Sequence, residues 1–121
     1  HPMEHLRADL AKRGVRRAED LRTMGHGRSV IVAGLVLGRQ RPATASGITF
    51  VTLEDETGVI NLVVQKRIWS EHHLVARHAT LLLVHGRVER EGEVIHVLAR
   101  SMERLEMPDD LPMPVRSRDF H

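Results

Sequence analysis

The chain contains no cysteine. That removes disulfide frameworks, thiolate zinc sites and a cysteine nucleophile together. There is no tyrosine, and the aromatic side chains are Phe50, Trp69 and Phe120 alone, so any stacking on nucleobases rests on very few rings. Lysine is nearly absent: Lys12 and Lys66 stand against sixteen arginines. Arginine offers a planar fork suited to phosphates and to base stacking, although such usage also follows from genome composition alone. Charge of one sign is scarcely in excess, since 18 cations and 16 acids leave a net +2. No apolar run approaches the ~20 residues of a membrane-spanning helix, and the opening HPMEHLRADL lacks the basic-then-apolar layout of a secretory signal. The chain begins with His1 rather than Met and reads as a piece of a longer protein. Its 121 residues, 41% of them hydrophobic, suit one domain with a real core.

What is present changes character along the chain. Residues 1–27 read as helical: Pro2 suits a first turn, Met3, Leu6 and Leu10 recur at helical spacing, and Gly14 closes the segment. A second short helix is predicted over 17–24, ending at Gly25. Seven cations between residues 5 and 28 face three acids there. Two short helices bury little alone, so this segment is expected to be the tail of a preceding domain or a cap on the next one. From residue 29 the pattern is that of strands: 29–38 (SVIVAGLVLG), 48–55 (ITFVTLED), 59–65 (VINLVVQ), 80–90 (TLLLVHGRVER) and 94–105 (VIHVLARSMERL). Gly34 predicts a bulge or sharp coil in the first strand, and Gly86 a break in the fourth. One short helix is predicted over 66–77, and residues 106–121 read as an extended, Pro-containing tail.

Strand, loop, hairpin, helix, hairpin is the order of an all-β, five-stranded OB-fold barrel with a helix between strands three and four, here preceded by a helical segment. An SH3-like barrel is the competitor, and it usually lacks that helix. Alternation then sorts the hairpin. Val51, Leu53, Ile60, Leu62 and Val64 make the aliphatic inner set, which leaves Phe50, Thr52 and Asn61 outside. An outward Phe beside a hydroxyl and an amide suits single-stranded nucleic acid, because a base can stack on the ring; the same ring could pack under the first loop or the N-terminal helices. Arg39 and Arg41, in a stretch without acids from Ser29 to Phe50, are placed beside this face as phosphate contacts, with Arg87 on the fourth strand as a further candidate.

Other chemistry is thinly supported. Glu54, Asp55 and Glu56 alternate faces and do not converge as a carboxylate pair, so Asp55 reads as the cap of the Glu56–Gly58 turn. His72 and His73 diverge by about 100° on a helix, while His85 and His96 lie on neighbouring strands where they could face each other. No metal site and no cofactor is expected. Trp69 reads as a core anchor of the inter-hairpin helix. No catalytic constellation is visible.

The run VAGLVLGRQRPATASGITFVTLEDETGVINLVV, then GRVEREGEVIHVLA, then the ending RSRDFH, resembles the C-terminal OB domain of bacterial error-prone DNA polymerases, C-family enzymes related to the replicative polymerase III alpha subunit. HPMEHLR is similar to the helical segment before that domain. The resemblance implies a parent DNA-directed DNA polymerase of damage-induced mutagenesis and lesion bypass, whose catalytic aspartates lie in a palm domain outside this chain. It implies a non-catalytic module that contacts single-stranded template. The alternative is a module that docks partner proteins of the mutagenic complex or the sliding clamp without touching DNA, with Phe120 in the tail as an anchor. The hairpin is also similar to the anticodon-binding domain of aspartyl-tRNA synthetases, where a second-strand Phe stacks on a base and a third-strand amide helps to read it. Phe50 and Asn61 match those positions, with Asn61 in place of that family's Gln. The expectation is therefore a helical segment (1–27), an OB-fold nucleic-acid-binding domain (28–105) and a tail (106–121). It would be a cytoplasmic, nucleoid-associated bacterial monomer that binds single-stranded DNA and no membrane through Arg39, Arg41, Phe50, Thr52, Asn61 and Arg87.

Overall fold

The computed structural model describes residues 1–44 and 46–107. Five strands, β1 (Ser29–Gln40), β2 (Thr49–Asp55), β3 (Gly58–Val64), β4 (Leu81–Glu91) and β5 (Val94–Arg104), close into a barrel in the order β1-β2-β3-β5-β4. All pairs are antiparallel except β3 with β5. This is the OB-fold predicted from the strand order. The predicted Pro-containing tail and its Phe120 lie outside the described residues.

β1 serves two neighbours. Its first half, Ser29 to Leu35, pairs with β4, and its second, Leu35 to Gln40, pairs with β2. The change of partner falls at Leu35, next to Gly34, and the need for glycine there is steric. A Cβ on Gly34 would lie 2.9 Å from the Glu54 carbonyl oxygen and 3.0 Å from Leu53 Cβ, so a side chain would push the strands apart. The register shift itself falls later, between Val36 and Gly38. Nor does Gly86 break β4. The strand runs on, and β5 takes up the irregularity: His85 pairs with Ser101 and Gly86 with Ala99, leaving Arg100 as the extra residue.

The barrel core is the aliphatic set of the alternating strands, with Val51, Leu53, Ile60, Leu62, Val64, Leu82, Val84, Val88 and Val97 all at 1% exposure or less. In place of the single predicted helix over 66–77, two short ones, α2 (Lys66–Glu71) and α3 (His73–His78), meet at a break at His72. Ile68 and Ala76 are the buried residues of the two.

A second apolar cluster lies outside the barrel. Met3, Leu6, Leu10 and Val15 pack on Ala33 and Leu35 of β1, Leu81 and Leu83 of β4, and Met107. The uninterrupted apolar runs of β1 and β4 are thus buried on both faces, as near-continuous hydrophobic strands require. The covering segment is a 3₁₀ helix at Pro2–Leu6, α1 (Arg7–Lys12), and a second short helix, of 3₁₀ type, at Ala18–Thr23 within the predicted span. Gly14, at φ +79°, ends the first pair. No helix among the described residues is long and apolar enough to cross a membrane.

Candidate nucleic-acid interface

The β2–β3 hairpin sorts its side chains as alternation demands. Thr49, Val51, Leu53 and Asp55 are buried, whereas Phe50 is 40% exposed and Thr52 half-buried. On β3, Asn61 and Val59 are exposed beside buried Ile60 and Leu62. The register then assembles the outer face. Thr52 lies opposite Asn61 and Phe50 opposite Val63, close enough for direct side-chain contact across the pair. Val63 adjoins Leu98 through the parallel β3–β5 pairing, and Leu98 adjoins Arg87 of β4. One lateral row therefore runs Phe50, Val63, Leu98, Arg87, about 14 Å along the sheet at ~4.8 Å per strand. Arg87 is exposed.

Arg39 and Arg41 are not in this row. Past its register shift β1 stays paired with β2 up to Gln40, which lies opposite Phe50 and so shares its face. Arg39, the preceding residue of the strand, must then point the other way. Arg39 lies opposite buried Val51, and its guanidinium donates to the carbonyls of Ala76 at 2.6 Å and Ala79 at 2.7 Å. It clamps the end of α3. Arg41 donates from Nε to Thr49 Oγ1 at 2.9 Å, with its guanidinium 5.1 Å from the centre of the Trp69 ring. Expected as phosphate contacts beside Phe50, both arginines instead line a notch of about 340 Å³ with Trp69 and Arg77. Trp69 packs against the core with one face of its ring taken by Arg41.

The turn after β2 explains the acidic triplet. Asp55 is buried, and its Oδ1 accepts from Thr57 N at 2.8 Å, Thr57 Oγ1 at 2.8 Å and Gly58 N at 3.1 Å. Its Oδ2 accepts from Ala18 N at 2.8 Å, tying the N-terminal segment to the hairpin. Glu54 reaches His1 at 3.1 Å. Glu56 accepts a two-point contact from Arg7, at 2.7 and 2.8 Å. That hydrogen bonding holds the Glu56 carboxyl below its usual range, and the same contact raises the Arg7 guanidinium above its own. Arg7 Nη2 also lies 3.7 Å from Asp55 Oδ2, so Asp55 and Glu56 share one guanidinium, and all three carboxylates are taken up in structural contacts rather than paired as acid and base.

His85 and His96 do not face each other: His85 pairs with Ser101, and His96 pairs with Glu89, its Nε2 lying 3.4 Å from the carboxylate. Among the described residues no three metal-binding side chains gather. Alternation on β3 already sets Val63 on the side of Asn61, but local sequence patterns gave no sign of Leu98 as a member of the face, nor of the groove of about 520 Å³ that opens where β3 and β5 splay apart beside Val59, Asn61 and Val94. Both depend on the β3–β5 closure, which joins segments far apart in the chain.

A five-stranded barrel of this order, with an outward aromatic and polar pair on strands two and three, defines an OB-fold of the nucleic-acid-binding type. The family model described as "OB-fold nucleic acid binding domain" matches residues 30–105, and the chain belongs to that family. Over its full 121 residues the chain is 48% identical to the error-prone DNA polymerase of Pseudomonas aeruginosa, and over 120 residues it is 52% identical to that of Pseudomonas fluorescens. It spans 12% of the length of each of these relatives, so it corresponds to an OB-fold portion of a larger polymerase. Among solved structures, asparaginyl-tRNA synthetase from Pyrococcus horikoshii superposes with a TM-score of 0.64 at 18% identity, over 88% of this chain and 26% of that one. That likeness is one of fold.

Proposed function

We propose that the chain is a single-strand-binding module of an error-prone DNA polymerase, holding template DNA for an enzyme whose catalytic residues lie elsewhere. Within a bacterial cell it would work on the chromosome during damage-induced lesion bypass. In this reading one base stacks on Phe50, Thr52 and Asn61 meet the polar edge of that base or its neighbour, and Arg87 takes a phosphate at the far end of the row. The observation that carries it is the Phe50 ring, 40% exposed on the outside of a closed barrel whose other large apolar side chains on β2 are buried. The ring belongs to neither buried apolar cluster, and it stands beside the side chains of Gln40 and Thr52 on the outer face. That the relatives are error-prone DNA polymerases supports DNA rather than RNA as the strand.

Arg39 is left out of the contact because its guanidinium is tied to the end of α3, and Arg41 because it lies against Thr49 and Trp69 rather than beside Phe50. With one exposed aromatic and a net charge of +2, isolated affinity should be weak and strongly salt-dependent. The test is fluorescence anisotropy of a labelled single-stranded oligonucleotide at low salt. Loss of one stacking contact is worth ~1–3 kcal/mol, so Phe50→Ala should weaken binding roughly 5- to 150-fold with an unchanged melting temperature. Undiminished binding by the variant would remove the stacking role.

A further inference from the structure

A second cationic site lies between the N-terminal segment and the barrel. Arg16, Arg28 and Arg100, together with His85, line one cleft of about 420 Å³ floored by Met24 and Ile31. All three arginines are exposed. None has an ion-pair partner among the described residues, and no carboxylate lines the cleft.

The three cations come from three elements, and backbone hydrogen bonds set two of them in place. Arg16 N donates to Ile31 O at 2.8 Å, and its residue pairs in parallel with Val32. Arg28 is held by Val88, which donates to Arg28 O at 2.9 Å while accepting from Gly27 N at 2.7 Å. Arg100 is the extra residue of the β5 irregularity. The connection ahead of β1 is anchored by Arg90, whose guanidinium donates to the carbonyls of Leu21, Arg22 and Met24 at 3.4, 3.1 and 3.0 Å and whose N–H meets His26 Nδ1 at 3.0 Å. A cleft bounded in this way is a built surface rather than a chance meeting of long side chains.

Its place matters as much as its charge. Arg87, at the end of the Phe50 row, pairs across to Ser29, and Ser29 lines the cleft. His85 stands two residues before Arg87 on the same outer face of β4. The row and the cleft are therefore contiguous around the barrel. We infer that the cleft takes the sugar–phosphate backbone of the bound single strand beyond the nucleotides at Phe50, reading charge and not sequence. Three guanidiniums without a neighbouring acid or an aromatic ring suit phosphates and offer nothing to stack a base. This rests on the single-strand-binding reading above, and extends it from the β2–β3 face to the junction of the N-terminal segment with β1, β4 and β5.

The test uses the full chain and two labelled oligothymidylates, of about 5 and about 15 nucleotides, near the two ends of the ~4–16 covered by one OB-fold. Three variants are compared with wild type: Phe50→Ala, the cleft triple Arg16→Gln/Arg28→Gln/Arg100→Gln, and a charge-matched triple Lys12→Gln/Arg67→Gln/Arg77→Gln. The cleft triple should leave the short oligonucleotide unaffected. On the long one it should lower affinity and make the slope of log K against log salt shallower by about 2, at ~0.7 per phosphate contact on a single strand. The charge-matched triple should leave that slope alone. If the cleft triple matches wild type or the charge-matched triple on the long strand while Phe50→Ala still weakens binding, the cleft inference is overturned and the hairpin reading stands. If wild type binds neither oligonucleotide, both fall. If the cleft triple abolishes binding of both lengths and Phe50→Ala does nothing, the cleft is retained as the DNA site and the stacking reading is lost. Should the triple fail to fold, Arg100→Gln alone carries the test with a slope change of about 0.7.

Discussion

Arg39 separates the two roles that an arginine beside an OB hairpin could have. Its guanidinium donates at 2.6 and 2.7 Å to the Ala76 and Ala79 carbonyls, the end of α3, where backbone acceptors lack helical partners. Hydrogen bonds to a charged group are worth ~1.5–3 kcal/mol each when buried, and Arg39 is only half-buried, so the pair together should contribute about 2 kcal/mol. Arg39→Gln should therefore lower stability by about 2 kcal/mol, or roughly 8 °C in melting temperature for a chain of this size. Arg39→Lys keeps the charge but not the fork, and should recover about half of that loss. Arg87→Gln should show the reverse pattern, with an unchanged melt and weaker oligonucleotide binding. Urea denaturation and low-salt anisotropy on the same four proteins decide it. If Arg39→Gln melts with wild type and binds DNA as poorly as Arg87→Gln, then the guanidinium faces the ligand after all and the alternation argument for β1 is wrong.

Two further substitutions test the frame around the site. Gly34→Ala places a methyl 2.9 Å from the Glu54 carbonyl oxygen, where backbone on both sides resists movement, and should cost ~1–3 kcal/mol; Gly38→Ala, with nothing within 4 Å of its added Cβ, should be close to neutral, and equal melts for the two would contradict the close approach. The Arg7–Glu56 contact makes a pH prediction. Because the Glu56 carboxyl is held below its ordinary range in the folded chain, its contribution is fully present above the unfolded value of ~4.3 and fades as pH falls through the lowered folded value. The stability gap between wild type and Glu56→Gln should thus be constant near neutral pH and shrink in acid; a gap that persists in acid would show that the contact does not depend on the ionised carboxylate.

The sorting of the β2–β3 hairpin was legible from residue order, because a period of two assigns Val51, Leu53, Ile60, Leu62 and Val64 to one face and Phe50, Thr52 and Asn61 to the other wherever one face is buried. The Asp55 turn was legible for a similar reason: its partners at Thr57 and Gly58 are two and three residues away. What local order could not supply was the end of β1. Taking residues 39–47 as a loop left Arg39 and Arg41 free to lie anywhere, whereas two more residues of ladder pairing put Gln40 on the Phe50 face and turned Arg39 away, and contacts with Thr49 and Trp69 hold Arg41 off that face.

From its sequence alone the chain determines five strands, their inward and outward residues, and a family in which such barrels bind nucleic acid. Tertiary structure alone decides which outward residues become neighbours. The parallel closure of β3 on β5 brings Leu98 and Arg87 into line with Phe50, and the N-terminal segment brings Arg16 to Arg28 and Arg100. The physical reason is that alternation is a property of one strand, readable from nearest neighbours, while adjacency across a closed barrel depends on register between segments up to eighty-four residues apart, as Arg16 and Arg100 are.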